Sequence, residues 1–251
     1  MAVKFSNAFN LTLGGKSTPA FPRRRCCACG SIVESAVDLC AGCRSDLALV
    51  QNPCVGCGIP LPVAIARCAA CQRRPRRFDA CRAPFVYAPP IDILIQRMKF
   101  DGDLRAARVL GRLLSEQLKH VGVQADVLMP VPLHPRRLIV RGYNQSLELA
   151  KQLGASLKIP LLRSACRRVR ATQPQTAVSA RERRSNVHGA FQATFDFDGL
   201  RVALVDDVMT SGQTAEAVAK ELRRAGAANI YLWACARAGG RNASKSQCRS
   251  L

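Results

Sequence analysis

The chain has 251 residues, 48% of them apolar, and carries 38 Lys and Arg against 17 Asp and Glu, a formal charge of +21. That is enough for one α/β domain of about 150 residues plus a small module. No apolar run approaches the roughly 20 residues that a membrane-spanning helix needs, and the charge points to polyanionic partners such as nucleic acid, nucleotides or an anionic surface.

Residues 1–22 are small and polar, lack acidic groups and show no sustained periodicity. They contain no signal-peptide apolar core, so a disordered leader and a cytoplasmic location are expected. From Cys26 the composition changes. Cys26-x2-Cys29, Cys40-x2-Cys43, Cys54-x2-Cys57 and Cys68-x2-Cys71 form four CxxC pairs, and each cysteine of the first half recurs 28 residues later. Four thiolates in each half make a full tetrahedral set for a structural zinc ion, two ions in all. A module this short with little apolar content needs such staples. Two sequential ribbons and an interleaved cross-brace both fit the spacing. CxxC doublets suit metal better than disulfides, and Cys27, Cys81, Cys166, Cys235 and Cys248 stand apart from the pattern. Residues 23–77 hold nine arginines and three acids without aromatic side chains, so contact with a polyanion there is expected to be through phosphates.

After Arg73-Arg74-Pro75-Arg76-Arg77 the signals become α/β. Ala83 to Ala88 reads as a strand, and Ile91 to Phe100 and Leu104 to His120 as helices, the second capped by Asp103. Val127 to Val131 is a short buried strand, Gln145 to Leu157 a helix, and Arg201 to Val205 and Asn229 to Cys235 further parallel strands. Between the strand at 127–131 and the helix at 145–157 lies a basic loop, with Arg137, Arg141, Gly142 and Asn144 placed to grip a diphosphate. His134 in this loop reads as positional or as a general acid or base. Residues 172–191 carry Arg181, Arg184 and Asn186 and read either as a lid over a diphosphate or as an arginine-rich surface helix.

The densest signal is Val202-Ala203-Leu204-Val205-Asp206-Asp207-Val208-Met209-Thr210-Ser211-Gly212-Gln213-Thr214, a buried strand, an acidic pair and a hydroxyl-rich turn entering a helix. Backbone N–H groups at such a strand-to-helix turn face an anion. Thr210, Ser211 and Thr214 add hydroxyls, and Gly212 frees the backbone to close round a phosphate. Asp206 and Asp207 fit a ligand that also carries sugar hydroxyls or a divalent cation. A plain helix start with a Ser or Thr cap is the simpler reading of the turn alone.

The stretch resembles the PRPP-binding motif of type I phosphoribosyltransferases. Together with Met98-Lys99-Phe100-x-Gly102, the loop from Pro130 to Gln145 and Arg181-x4-Asn186-x2-Gly189-Ala190-Phe191, it stands in the order seen in ComF-family proteins. The resemblance covers about residues 26 to 237. Ser211 departs from the family's usual second threonine while keeping the hydroxyl, and Met209 gives no stacking group. The resemblance implies a double zinc ribbon over 23–77, a type I phosphoribosyltransferase-like α/β domain over 78–238 with helices on both faces of a parallel sheet, and a disordered tail over 239–251. It implies that Asp206 and Asp207 hold ribose hydroxyls, that Thr210, Ser211, Gly212, Gln213 and Thr214 hold the 5′-phosphate, and that Mg²⁺ accompanies PRPP. It also implies a role in DNA uptake, with single-stranded DNA and DNA-uptake or recombination proteins as partners. Active phosphoribosyl transfer in nucleotide salvage is the alternative.

Overall fold

The computed structural model describes residues 24–35, 37–122, 124–169 and 189–239. Two five-residue helices, α1 (Ala41–Ser45) and α2 (Ala69–Arg73), begin inside the second CxxC of each cysteine set, with Cys40 and Cys68 at their N-caps and Cys43 and Cys71 within them. The chain then runs β1 (Ala80–Arg82), β2 (Phe85–Val86), α3 (Ile91–Phe100), α4 (Leu104–His120), β3 (Val127–Pro130), α5 (Pro135–Arg141), α6 (Gln145–Leu157), β4 (Cys166–Arg168), β5 (Phe191–Ala193), β6 (Arg201–Met209), α7 (Gln213–Arg224) and β7 (Asn229–Arg237). No helix among the described residues is long and apolar enough to cross a membrane.

The main sheet is parallel, in the order β1-β7-β6-β3, with β2 also on β7. Of the strand expected at 83–88 only Phe85–Val86 is β2, paired with Ala236–Arg237, and β1, paired with Tyr231–Trp233, precedes the expected span. Pro84 lies between them, and a proline offers no N–H to a ladder. β4 and β5 form a separate antiparallel pair that local sequence did not announce.

β6 is buried on both faces over 202–205. Ala203 and Val205 join α3, α4 and α6 in one apolar cluster, and Val202 and Leu204 join α7 in another. Each face thus takes alternate residues of the strand. On the first face Leu110, Leu113, Leu114 and Leu118 of α4 are no more than 2% exposed, each stabilising by about 2–3 kcal/mol on burial. The cysteine sets divide between the faces: Cys26 and Cys27 belong to the first cluster, Cys54, Cys57 and Cys71 to the second.

β6 outruns β3. Its pairing with β3 ends at Val205, whereas its pairing with β7 continues to Met209. Asp206 and Asp207 therefore stand at the open carboxyl end of the sheet, where α/β folds place their ligands.

Candidate phosphate site and cysteine centres

The turn after β6 is built by a glycine. Gly212 has φ +78 and is the N-cap of α7 without a side-chain capping bond. A Cβ there would stand 2.7 Å from Met209 Cε. Glycine meets both the left-handed backbone and the close approach. Because the cap is a glycine, the exposed Thr210 and Ser211 are not spent on capping. The Ser or Thr cap anticipated for a plain helix start is absent.

The acidic pair is asymmetric. Asp206 Oδ1 accepts from Ser146 Oγ at 3.1 Å and from the Asp207 N–H at 2.9 Å. Burial first, and then the neighbouring Asp207 charge, push the Asp206 carboxyl up to about 7, against the pull of Lys99 and these hydrogen bonds. Asp207 pairs with Lys99 Nζ at 2.9 Å. Lys99 comes from α3, more than 100 residues upstream.

A cleft of about 850 Å³ gathers Lys99, Phe100, Arg136, Arg137, Val140, Arg141 and the whole run from Asp206 to Thr214. A smaller adjoining cavity of about 170 Å³ adds Asn144, Gln145, Ser146 and Arg168. The loop expected at 132–144 contains a helix, α5, started by Pro135 and capped by His134, whose Nδ1 accepts from the Arg136 N–H at 3.1 Å. His134 is thus spent on a cap. Burial and then the cations Arg168, Arg136 and Arg137 lower its pKa, which suits a neutral accepting ring. Gly142 (φ +75) ends α5, and Asn144 caps α6 while its Nδ2 donates to Val131 O at 3.1 Å. Gly142 and Asn144 therefore set the loop's path, whereas Arg137 and Arg141 line the cleft. Arg181, Arg184 and Asn186 lie outside the described residues.

Gln145 and Phe100 carry no individual role in the sequence reading, yet both line the site alongside the expected Gln213. Gln145 is 2% exposed, and its Nε2 has no hydrogen-bond partner among the described residues. A buried orphan donor costs about 1–3 kcal/mol, and the oxygens of an anion in the small cavity would satisfy it. Gln213 Oε1 is likewise buried without a partner. Phe100 is 73% exposed at the rim of the cleft, with the Arg141 guanidinium 5.8 Å from its ring centroid.

The cysteines group in chain order. Cys26, Cys29, Cys40 and Cys43 form one set and Cys54, Cys57, Cys68 and Cys71 the other, with the ligand atoms of each set within 4.8 Å of one another. The sequential arrangement holds and the cross-brace does not. A tetrahedral zinc site with Zn–S of about 2.3 Å has sulfurs about 3.8 Å apart. The Cys29–Cys40 and Cys57–Cys68 sulfurs are 3.6 and 3.8 Å apart. Both sets fit zinc.

Two arginines tie the second set to the turn after β6. Arg237, 9% exposed, donates from Nε to Cys57 O at 2.8 Å and from Nη1 to Met209 O at 3.0 Å and to Ala238 O. Arg76 Nη1 donates to Ser211 O at 3.1 Å and pairs with Glu216 in the first turn of α7 at 3.2 Å. The first set reaches the site less directly. Arg97 of α3 donates to Cys27 O at 2.6 Å, two residues from Lys99 on the same helix.

The phosphoribosyl transferase domain family matches residues 140–249, a span that includes β6, the turn and α7. A solved structure of the allosteric regulatory enzyme of purine biosynthesis overlaps 52% of this chain and 26% of that one at 22% identity, with a TM-score of 0.37, too low to bear on the fold. Among curated relatives, the DNA utilization protein YhgH of Escherichia coli K12 is 38% identical over 156 residues, 60% of this chain and 69% of that protein. Competence protein F of Haemophilus influenzae is 40% identical over 160 residues, 61% of this chain and 70% of that protein. With that identity across more than two thirds of competence protein F, and with its phosphoribosyltransferase-like parallel sheet behind a pair of four-cysteine centres, this chain belongs to the ComF family.

Proposed function

We propose that this protein acts in the cytoplasm in DNA uptake and utilisation, engaging single-stranded DNA through its basic surfaces and a PRPP-type ligand through Asp206 to Thr214. The observation that carries the ligand half is convergence. The continuous run from the acidic pair through the turn, and the two loop arginines far upstream in sequence, line one cleft. The 5′-phosphate would sit on the N–H groups and hydroxyls of Thr210 to Thr214, the ribose hydroxyls on Asp206 and Asp207, and the diphosphate on Arg137, Arg141 and Gln145. Mg²⁺ would travel with the diphosphate and neutralise part of its charge. The DNA half is supported by the names of the relatives, competence protein F and DNA utilization protein, and by the +21 charge.

Calorimetry with PRPP and Mg²⁺ tests the ligand. Wild type is expected to bind, and Asp206→Asn/Asp207→Asn to lose about 100-fold in affinity, equivalent to two charged hydrogen-bonding contacts of about 1.5 kcal/mol each. Equal binding by the two proteins removes this assignment.

One observation favours the alternative of active phosphoribosyl transfer. A transferase needs a seat for the base, and Phe100 offers an exposed ring on the same cleft. On that reading Phe100→Ala lowers turnover of PRPP with a nucleobase roughly 10-fold or more, as the loss of one base–aromatic stack of about 1–3 kcal/mol predicts. PRPP binding without base is unaffected. Absence of base-dependent pyrophosphate release from wild type would exclude transfer with the bases tried.

A further inference from the structure

A second cleft, of about 710 Å³, opens on the opposite side of the phosphate turn. Thr210, Ser211 and Gln213 line both clefts, so the turn is the partition between them. The second cleft runs between the end of α2, the linker after it and the outer surface of α7, and it is strongly cationic. Arg76 and Arg237 are committed to the carbonyls and carboxylate already described. Arg73, Arg74 and Arg77 also line it, are exposed, and make no ion pair among the described residues. The two acids of the cleft are already neutralised, Glu216 by Arg76 at 3.2 Å and Glu221 by Arg224 at 3.1 Å. Beyond the cleft Arg77 and Lys220 continue into a shallower hollow with Arg223 and Arg224. The basic stripe thus follows the twelve residues of α7, about 18 Å at 1.5 Å per residue.

Arg223 and Arg224 at the far end are paired with Asp79 and Glu221, but a stripe of that length whose Arg73, Arg74 and Arg77 guanidinium groups are uncommitted suits a chain of phosphates better than one small anion. At a spacing of about 3.4 Å it accommodates about five stacked nucleotides of one strand. At its end lies a turn whose N–H groups and free hydroxyls suit a phosphomonoester. The 5′-phosphate of a phosphoribosyl ligand and the 5′-terminal phosphate of a DNA strand are the same group on the same carbon of a pentose. We infer that the Arg73–Arg77 cleft is a track for single-stranded DNA that ends at the phosphate turn. The protein then recognises 5′-phosphorylated strand ends, and a strand end and a phosphoribosyl ligand exclude one another. The inference rests on the turn being a phosphate site, as proposed above.

Fluorescence anisotropy on the full, zinc-loaded chain tests it, with one labelled mixed-sequence oligonucleotide carrying 5′-phosphate, 5′-hydroxyl or 3′-phosphate. The 5′-phosphorylated strand is expected to bind about 10-fold or more tighter than the other two. Saturating PRPP is expected to cancel that advantage. Arg73→Gln/Arg74→Gln/Arg77→Gln is expected to weaken all three strands and to lower the slope of log affinity against log salt by about 2, from three phosphate contacts at about 0.7 each. Zinc content and unfolding midpoint confirm that this variant is folded. Equal affinity for the three strands, with no effect of PRPP, overturns the shared turn. PRPP binding measured alone separates the two levels. Tight PRPP binding without end discrimination overturns only this inference, whereas no PRPP binding and no end discrimination overturn the phosphate site beneath it.

Discussion

Replacing Cys54 and Cys57 with serine is expected to reduce zinc from about two ions per chain to about one and to weaken PRPP binding about 100-fold, although neither cysteine lines the cleft. The route is the pair of arginines. Arg237 spans from Cys57 O to Met209 O, and Arg76 reaches from the linker after Cys71 to Ser211 O. Each is a charged donor to a carbonyl, worth about 1.5–3 kcal/mol. Together they hold the turn from both ends. An apo second centre frees Cys57 and the linker, and the turn must then be ordered by the ligand itself. Losing about 3 kcal/mol of that ordering is a factor of about 100. Hydrogen exchange at residues 209–214 should quicken in the variant without any ligand present. Arg76→Met separates cause from collapse: zinc stays near two while exchange at the turn still rises. Cys26→Ser/Cys29→Ser, on the other face of the sheet, should cost less, because its path runs through α3 and only to Lys99. Unchanged exchange and affinity in the one-zinc protein would break this link.

Legibility from sequence divides along the same line as local and distant chemistry. The helices at 91–100, 104–120 and 145–157 were readable to the residue, because each buries an amphipathic face and two carry side-chain caps, Asp103 and Asn144. α5 was missed despite Pro135 at its first turn and Gly142 at its end. Leu138, Ile139 and Val140 are all exposed, so no apolar face repeats at helical spacing. β4 and β5 meet across more than 20 residues, and a pairing of that kind leaves no local pattern. The same holds in the cleft. Asp206 to Thr214 is one continuous stretch and could be read as such. Lys99 and Phe100, Gln145, Arg76 and Arg237 arrive from four other places, and only the tertiary fold brings them to the turn.

Asp206→Asn is expected to raise the unfolding midpoint by about 6–12 °C at pH 8 and to leave it unchanged near pH 4, with scanning calorimetry as the measurement. The Asp206 carboxyl, pushed up to about 7 in the fold, has an ordinary value of about 3.9 in the unfolded chain. A raised acid binds its proton more tightly when native, so its contribution to stability is fully present below pH 4. It is lost as pH rises through 4 to 7, and is absent above. Three pH units correspond to about 4 kcal/mol. The residue keeps some exposure towards the cleft, and about 3 kcal/mol is the better figure. In a domain of this size that is about 2–4 °C per kcal/mol. Asparagine stands in for the neutral acid at every pH: its Oδ1 can still accept from Ser146 and Asp207, and its amide can face the open cleft. A carboxylate kept only for structure behaves in the opposite way, losing stability at pH 8 when its charge is removed. A gain in stability at pH 8 together with a loss of PRPP affinity is the signature of a charge that the fold carries for its ligand. A destabilised asparagine variant at pH 8 would show instead that Asp206 belongs to the scaffold.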